Sequence, residues 1–455
     1  MGLRRILIAN RGEIALRVVR AAKSLGLETV LAASAADRDS LAAREADRVV
    51  VLGPAPARAS YLNADLVVHA AKTTGCDALH PGYGFLSERA ALARLCEEQG
   101  IAFVGPTSQS IEAVGDKLAA RRLARAAGVA MTPGSAKLES AEAALAFARE
   151  IGFPVVTKAS AGGGGRGMVV ARDARALVEG FERAAQEARE AFGDGTLYLE
   201  RYVERARHVE VQVVGLGDGR VLHFGERDCS MQRRYQKMIE EAPAAALPAA
   251  TRARLHKAAV DLLASIKYRN AGTVEFLYDV ERDEFYFMEV NARIQVEHPV
   301  SEMISGTDLI KLQLEVAGGV APALAQRDIS AHGHAVEARI LAEDPARGFL
   351  PSPGRVTRWR PPYGEGVRVD SAMFEGALVP PYYDSMIAKL IVHAPDRPRA
   401  VARLREALAA FEVEGVATNL PLLREVTAHP DLLDNQLDTR WLENVFLPHY
   451  GQPRE

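Results

Sequence analysis

Five polar residues fall on alternate positions between Phe285 and Pro299: Glu289, Asn291, Arg293, Gln295 and Glu297, with Met288, Val290, Ile294 and Val296 among the residues between. Extended backbone sends successive side chains to opposite faces, so this spacing predicts one strand whose polar groups share a face. A solvated edge strand gives the same pattern. The flanking Phe285, Tyr286 and Phe287 instead point to a strand buried on both sides, where carboxylates and an arginine are costly unless they pair or bind something. Glu289 and Asn291 are hard oxygen donors, and Glu275 in the run from Gly272 to Leu277 offers a third. Such a set suits Mg²⁺ held together with phosphate oxygens. Arg293 could fork onto a small oxyanion and Glu297 could serve as a base beside it. Metal, oxyanion and base would then share one strand.

A second chemical signal begins at Lys158, the end of a strand predicted over Ile151 to Lys158. It leads into Ala159-Ser160-Ala161-Gly162-Gly163-Gly164-Gly165-Arg166-Gly167. Bare glycine N–H groups between two strands can wrap phosphates, and the arrangement suits a hairpin lid. It is not a P-loop, because no Gly-Lys-Ser/Thr follows. A plain linker would rarely be bracketed by a strand-ending lysine and an arginine. Leu197 to Val203 and His208 to Val213 read as further strands that could border a purine. The basic run Asp228 to Lys237 lies too near Glu240 and Glu241 to make a nucleic-acid patch.

The elements that must position these groups belong to a multidomain α/β and α+β chain. A length of 455 residues suggests two or three domains, and a formal charge of -3 gives no general attraction to nucleic acid or anionic membrane. Three cysteines, none in a C-x-x-C pair, fit a reducing cytosol. The N-terminus shows no secretory segment, and no apolar run is long enough to span a bilayer. Strand and helix alternate from Arg5 to Gly105 as in a small parallel unit. The turn Asn10-Arg11-Gly12-Glu13-Ile14-Ala15 holds one glycine where a dinucleotide fingerprint needs three, which argues against NAD. The loop His80-Pro81-Gly82-Tyr83-Gly84-Phe85 reads equally as a plain turn or a site loop. Beyond His332 the strands shorten, and Arg339, alternating with Glu337 and Leu341, could point back toward the central cleft.

These segments, with Gln236-Lys237, His334-Ala335-Val336-Glu337-Ala338-Arg339 and Pro381-Tyr382-Tyr383-Asp384-Ser385-Met386, occur in an order that covers nearly the whole chain. The chain resembles the biotin carboxylase subunit of biotin-dependent acyl-CoA carboxylases, a branch of the ATP-grasp superfamily, and is most similar to the bacterial acetyl-CoA carboxylase component. The resemblance implies a Rossmann-like N-terminal domain over 1–114, an ATP-grasp domain over 115–331 with a mobile lid at about 134–203, and a β-rich C-terminal domain over 332–447. It implies ATP-dependent carboxylation of biotin by bicarbonate through carboxyphosphate. Lys117, Lys158, His208, Gln232, Tyr235 and the lid glycines Gly163, Gly164 and Gly165 would bind ATP, with Glu200 to Val203 bordering the adenine. Glu275, Glu289 and Asn291 would hold Mg²⁺ or Mn²⁺. Lys237, Arg293, Gln295 and Val296 would hold bicarbonate, Glu297 would take its proton, Arg339 would stabilise the biotin enolate, and Tyr83 would lie near the ureido ring.

Separate biotin carboxyl carrier protein and carboxyltransferase subunits are the implied partners, because no Ala-Met-Lys-Met sequence occurs before Glu455. A cytoplasmic homodimer is implied, with no nucleic acid or membrane. A propionyl-CoA, methylcrotonyl-CoA or pyruvate carboxylase would use the same half-reaction. An idle scaffold would show losses among Lys237, Arg293, Glu297 or Arg339, and all four are present. The chain departs from the family pattern at Tyr235 for a usual His, Arg89 for Asn, Ala338 for Cys and Thr157 for an apolar residue. Ser24 and Glu365 replace other residues at the family's dimer contact.

Overall fold

Apolar runs too short for helices build the first sheet. β1 (Arg5–Ile8), β2 (Glu28–Ser34), β3 (Arg48–Gly53), β4 (Ala78–His80) and β5 (Ala102–Phe103) are parallel in the order β3-β2-β1-β4-β5. Ile6, Leu7 and Ile8 are wholly buried, as a parallel sheet covered on both faces requires. The strand order reverses between β1 and β4, and the turns that follow those two strands clasp each other there. Asn10 Nδ2 donates to the carbonyls of Pro81 at 2.7 Å and Tyr83 at 2.8 Å. Gly82 has a φ of +63°, and a Cβ on it would lie 2.7 Å from that amide nitrogen, so the clasp needs glycine. The turn carries Tyr83, whose hydroxyl donates to Glu13 in the helix Gly12–Ser24.

The computed structural model describes residues 2–159, 168–320 and 322–451, apart from the side chains of 117, 118, 191 and 192. Gly163, Gly164, Gly165 and the side chain of Lys117 therefore lie outside the described residues. On either side of that gap β6 (Val155–Ala159) and β7 (Val169–Ala171) pair antiparallel, and β8 (Leu197–Arg201) joins the other edge of β6. Helices Ala141–Ile151 and Ala174–Phe192 cover this small sheet with a core of its own that includes Ala144, Ala148, Phe181, Leu197 and Leu199. The strand expected from Ile151 starts only at Val155, because Ile151 ends a helix and Gly152 and Pro154 separate the two elements.

The main sheet has eight strands. β9 (Ala206–Leu216), β10 (Val221–Arg233), β11 (Gln236–Ala242), β12 (Arg269–Asp279), β13 (Glu284–Asn291) and β14 (His334–Leu341) run in the order β13-β12-β9-β10-β11-β14, followed by Met386–Ala394 and Val367–Ser371. The sheet thus continues past residue 332 through the pairing of β11 with β14, which sets Glu240 opposite Glu337. Arg234 and Tyr235, at φ 47° and 65°, form the two-residue turn of the β10–β11 hairpin.

Two expectations for residues 285–299 are corrected. β13 is an edge strand, not one buried on both sides, and it ends at Asn291. Glu289 pairs with Glu275 and Phe287 with Phe276, so Met288 is an extra residue that breaks the alternation and stands 41% exposed. Beyond Asn291 the chain bends, turns through Val296 and Glu297, and enters the helix His298–Ser305, whose first turn holds Pro299. Arg293, Gln295 and Glu297 are placed by this turn and not by a strand.

Candidate active site

Lys237, near the start of β11, points into the sheet face and donates to Glu210 at 2.6 Å, Glu275 at 3.0 Å and Glu297 at 2.6 Å. Arg339 on β14 donates through Nε to Glu240 at 2.6 Å and through Nη2 to Glu297 at 3.0 Å. Glu297 is thus gripped by both cations. Burial and neighbouring Glu210 push its carboxyl up, but Lys237, Arg339 and Arg227 outweigh them and hold it below the ordinary range. Burial works against the Lys237 ammonium too, yet its three carboxylates raise it well above the usual lysine value.

Beneath these groups lies Arg227, wholly buried, with every arm of its guanidinium used. It donates to Glu210 and Gln212 at 2.7 Å, Ser301 at 3.0 Å, Thr273 at 3.3 Å and Gln295 at 2.6 Å. Glu210, Arg227 and Glu240 were missed by sequence reasoning. The signal available was charge inside apolar strands: Glu210 and Gln212 alternate with valines, and Arg227 lies in the long run of β10.

Glu275 collects Asn291 Nδ2 and Gln295 Nε2, each at 2.9 Å, and lies 3.0 Å from His208 Nε2. Despite the burial cost, Lys237 and His208 hold its carboxyl well below the ordinary range. Glu289, opposite Glu275 in register, completes a row of oxygen donors along the β12–β13 edge. This hard set of two carboxylates and an amide fits Mg²⁺. His208, Glu210 and Glu275 also present ligand atoms within 4.8 Å of one another. Arg293 forks onto Glu88 at 2.9 Å and Asn291 at 3.0 Å.

Other predicted residues sit apart from this centre. Lys158 donates to Glu200 at 2.5 Å, and Arg121 donates to the other oxygen of Glu200 at 2.7 Å. Val203 is buried just past β8, and Gln232 is buried opposite Lys237 in the hairpin. Tyr235, 63% exposed, stands at the hairpin tip. Val296 contributes its carbonyl, which accepts from Lys389 at 2.9 Å, while Lys389 also pairs with Glu13 at 3.2 Å. That pairing links the Tyr83–Glu13 contact to the turn carrying Glu297. A small anion entering between Lys237 and Arg339 would replace Glu297 as their partner. Freed of part of that grip, the Glu297 carboxylate would gain proton affinity, as a base beside the anion requires.

Family profiles match three segments: "Biotin carboxylase, N-terminal domain" over residues 2–111, "Carbamoyl-phosphate synthase L chain, ATP binding domain" over 116–324, and "Biotin carboxylase C-terminal domain" over 337–444. Biotin carboxylase 1 of Bacillus subtilis is 48% identical over 97% of this chain and 98% of its own length. The mitochondrial methylcrotonoyl-CoA carboxylase subunit alpha of Glycine max is 47% identical over 97% of this chain and 61% of its own. Among solved structures, the biotin carboxylase domain dimer of Hydrogenobacter thermophilus 2-oxoglutarate carboxylase, in complex with MgADP, ADP and bicarbonate, superposes with a TM-score of 0.91 at 45% identity, each chain fully covered.

Proposed function

The chain belongs to the biotin carboxylase family of ATP-grasp ligases, and we propose that its side chains divide the family's half-reaction as follows. Lys237, Arg293, Gln295 and the Val296 backbone hold bicarbonate. Glu297 removes its proton, so the resulting dianion attacks the γ-phosphate of ATP to give carboxyphosphate and ADP. Lys117, Lys158, His208, Gln232, Tyr235 and the glycines Gly163, Gly164 and Gly165 bind ATP, with Glu200 and Val203 at the adenine. Glu275, Glu289 and Asn291 would hold Mg²⁺, which when bound neutralises charge on the phosphates. Carboxyphosphate gives up its phosphate, which takes the N1 proton of biotin, and Arg339 steadies the resulting enolate beside Tyr83 as N1 takes the carboxyl group. Carboxyphosphate is labile, so closure of the site against water protects it.

The observation that carries this reading is the double grip of Lys237 and Arg339 on Glu297, which sets two anion-binding cations on one base. The test is ATP cleavage by the purified chain, which should require Mg²⁺ and bicarbonate and rise with free biotin. Turnover indifferent to bicarbonate would overturn it.

For the holoenzyme, the reading is a cytoplasmic bacterial acetyl-CoA carboxylase serving fatty acid synthesis. Here a homodimer of the chain works with separate biotin carboxyl carrier protein and carboxyltransferase subunits. Its support is the match along nearly the full length of the Bacillus subtilis biotin carboxylase. Among the described residues no helix is long and apolar enough to cross a membrane. Co-purification of the native complex tests this; a transferase specific for another acyl acceptor would replace acetyl-CoA in the reading.

A further inference from the structure

Arg339 has a second side that this chemistry leaves unused. There β11 and β14 set Glu240 directly opposite Glu337, so the two side chains share one face of the sheet. Both residues are fully buried. Arg339 occupies one oxygen of Glu240, yet Glu240 Oε2 and both carboxyl oxygens of Glu337 have no hydrogen-bond partner among the described residues. Of the cations that face the pair, Lys389 is engaged on Glu13 and the Val296 carbonyl and Lys237 on Glu210, Glu275 and Glu297, while Arg339 is divided between Glu240 and Glu297. Two adjacent buried carboxyls that share one divided cation do not both ionise, so one of them keeps a proton.

We propose that Glu240 and Glu337 hold one proton between them, the Glu337 hydroxyl donating to Glu240 Oε2, and that this pair positions Arg339 for the carboxylation of biotin. The proton leaves Glu240 ionised enough to hold the guanidinium by Nε. It also keeps a second negative charge from gathering behind Arg339 and cancelling the positive field that an enolate needs. Burial, and after it the neighbouring Glu297, raises Glu240 to about 7 despite Arg339; burial and Glu240 put Glu337 well above the ordinary carboxyl range despite Lys389. Tyr83 and Cys229, which also face the pair, are kept neutral by burial. The inference rests on the reading that Arg339 serves biotin.

Two measurements on the full chain test it. Infrared spectra of the wild type should contain a protonated-carboxyl C=O band that disappears as pH rises and is missing from Glu337→Gln, in which an amide takes the place of the protonated acid. Carboxybiotin formed per ATP cleaved should fall by up to about tenfold per pH unit on the alkaline side in the wild type. In Glu337→Gln that limb should recede by about one pH unit or more, with bicarbonate-dependent ATP cleavage unchanged. Superimposable pH profiles, or no such band in the wild type at neutral pH, would overturn the proposal. ATP cleavage indifferent to bicarbonate in both proteins would instead overturn the functional reading, while the infrared band would still decide for or against the shared proton.

Discussion

Lys237 and Lys158 both stand on strands and face buried glutamates, but their surroundings differ. The Lys237 side chain is 11% exposed and spans three carboxylates fixed by three neighbouring elements, whereas Lys158 is 32% exposed and meets Glu200, which it shares with Arg121. In the first place the sheet itself sets the geometry, and Arg227 locks it from below. In the second, one carboxylate can hand its lysine to a phosphate with little rearrangement of the backbone. The ionic centre of the main sheet is organised in advance, and the pair on the small sheet is left free to be reorganised by the phosphate proposed for it.

The sharpest way to break this comparison is to remove the support under each lysine. Arg227→Ala takes from buried Glu210 one of its two cations and from Gln212 and Gln295 their buried donor, a change of about 3–5 kcal/mol for one half of a buried pair. Urea unfolding should register that loss. Lys158→Ala, at a partly exposed pair, should cost less than about 1 kcal/mol and raise the KM for ATP instead. Equal stability losses would show that the two sites are built alike.

Catalysis separates the residues within the ionic centre. Glu297→Gln should reduce bicarbonate-dependent ATP cleavage by about 10²-fold or more, the scale of a lost general base. Arg339→Ala should spare ATP cleavage relative to carboxybiotin formation, because in the proposed division of roles Arg339 acts after carboxyphosphate has formed. Steady-state assays of both activities check this, and equal damage in both variants would mean that the two roles are not divided.

How far the sequence predicts these arrangements depends on how each is made. The parallel strands around β1 and β4 are short apolar runs, and they alternate with helices such as Gly12–Ser24, as the pattern from Arg5 to Gly105 predicts. The polar row from Glu289 to Glu297 identified groups that do converge, since Asn291 and Gln295 both reach Glu275. Its geometry was not readable. Period-two alternation cannot reveal a bulge at Met288 or a chain that leaves the sheet after Asn291. Glu210, Arg227 and Glu240 escaped notice for a related reason: a charge on a strand looks solvent-facing until its partner on another strand is known. Here the partners are many residues away, as Arg227 is from Gln295.

The seam between β11 and β14 offers a pH test of the same principle, well away from the proposed metal donors. Glu241 accepts from His334 at 2.8 Å and from Arg397 at 2.7 Å. Burial pushes its carboxyl up, but those two partners prevail and bring it from 4.5 down to about 2. A depressed carboxylate stabilises the fold fully above its unfolded value and loses that stabilisation as pH falls toward its folded one. Unfolding free energy should therefore drop between pH 4.5 and about 2. Glu241→Gln should be less stable at neutral pH and show a flatter acid limb; an unchanged limb would place the acid sensitivity elsewhere.

The smallest effect is expected at Tyr235, where a His is usual in the family. Its φ of 65° belongs to the hairpin turn, so the backbone at this position is set by the turn and not by the ligand. The side chain is largely exposed and reaches the proposed nucleotide only from the hairpin tip. A phenol hydroxyl can donate and accept, as a His ring can, so the nucleotide contact proposed for this position would persist in altered form. One neutral hydrogen bond contributes about 0.5–1.5 kcal/mol net, and a contact made equally in ground and transition states changes KM but not kcat. Tyr235→Phe should raise the KM for ATP by no more than roughly tenfold and leave kcat nearly unchanged. Kinetics at saturating bicarbonate and biotin decide it: a kcat lowered about a hundredfold at constant KM would place Tyr235 in the chemical step and move the pre-organised region out to the hairpin tip.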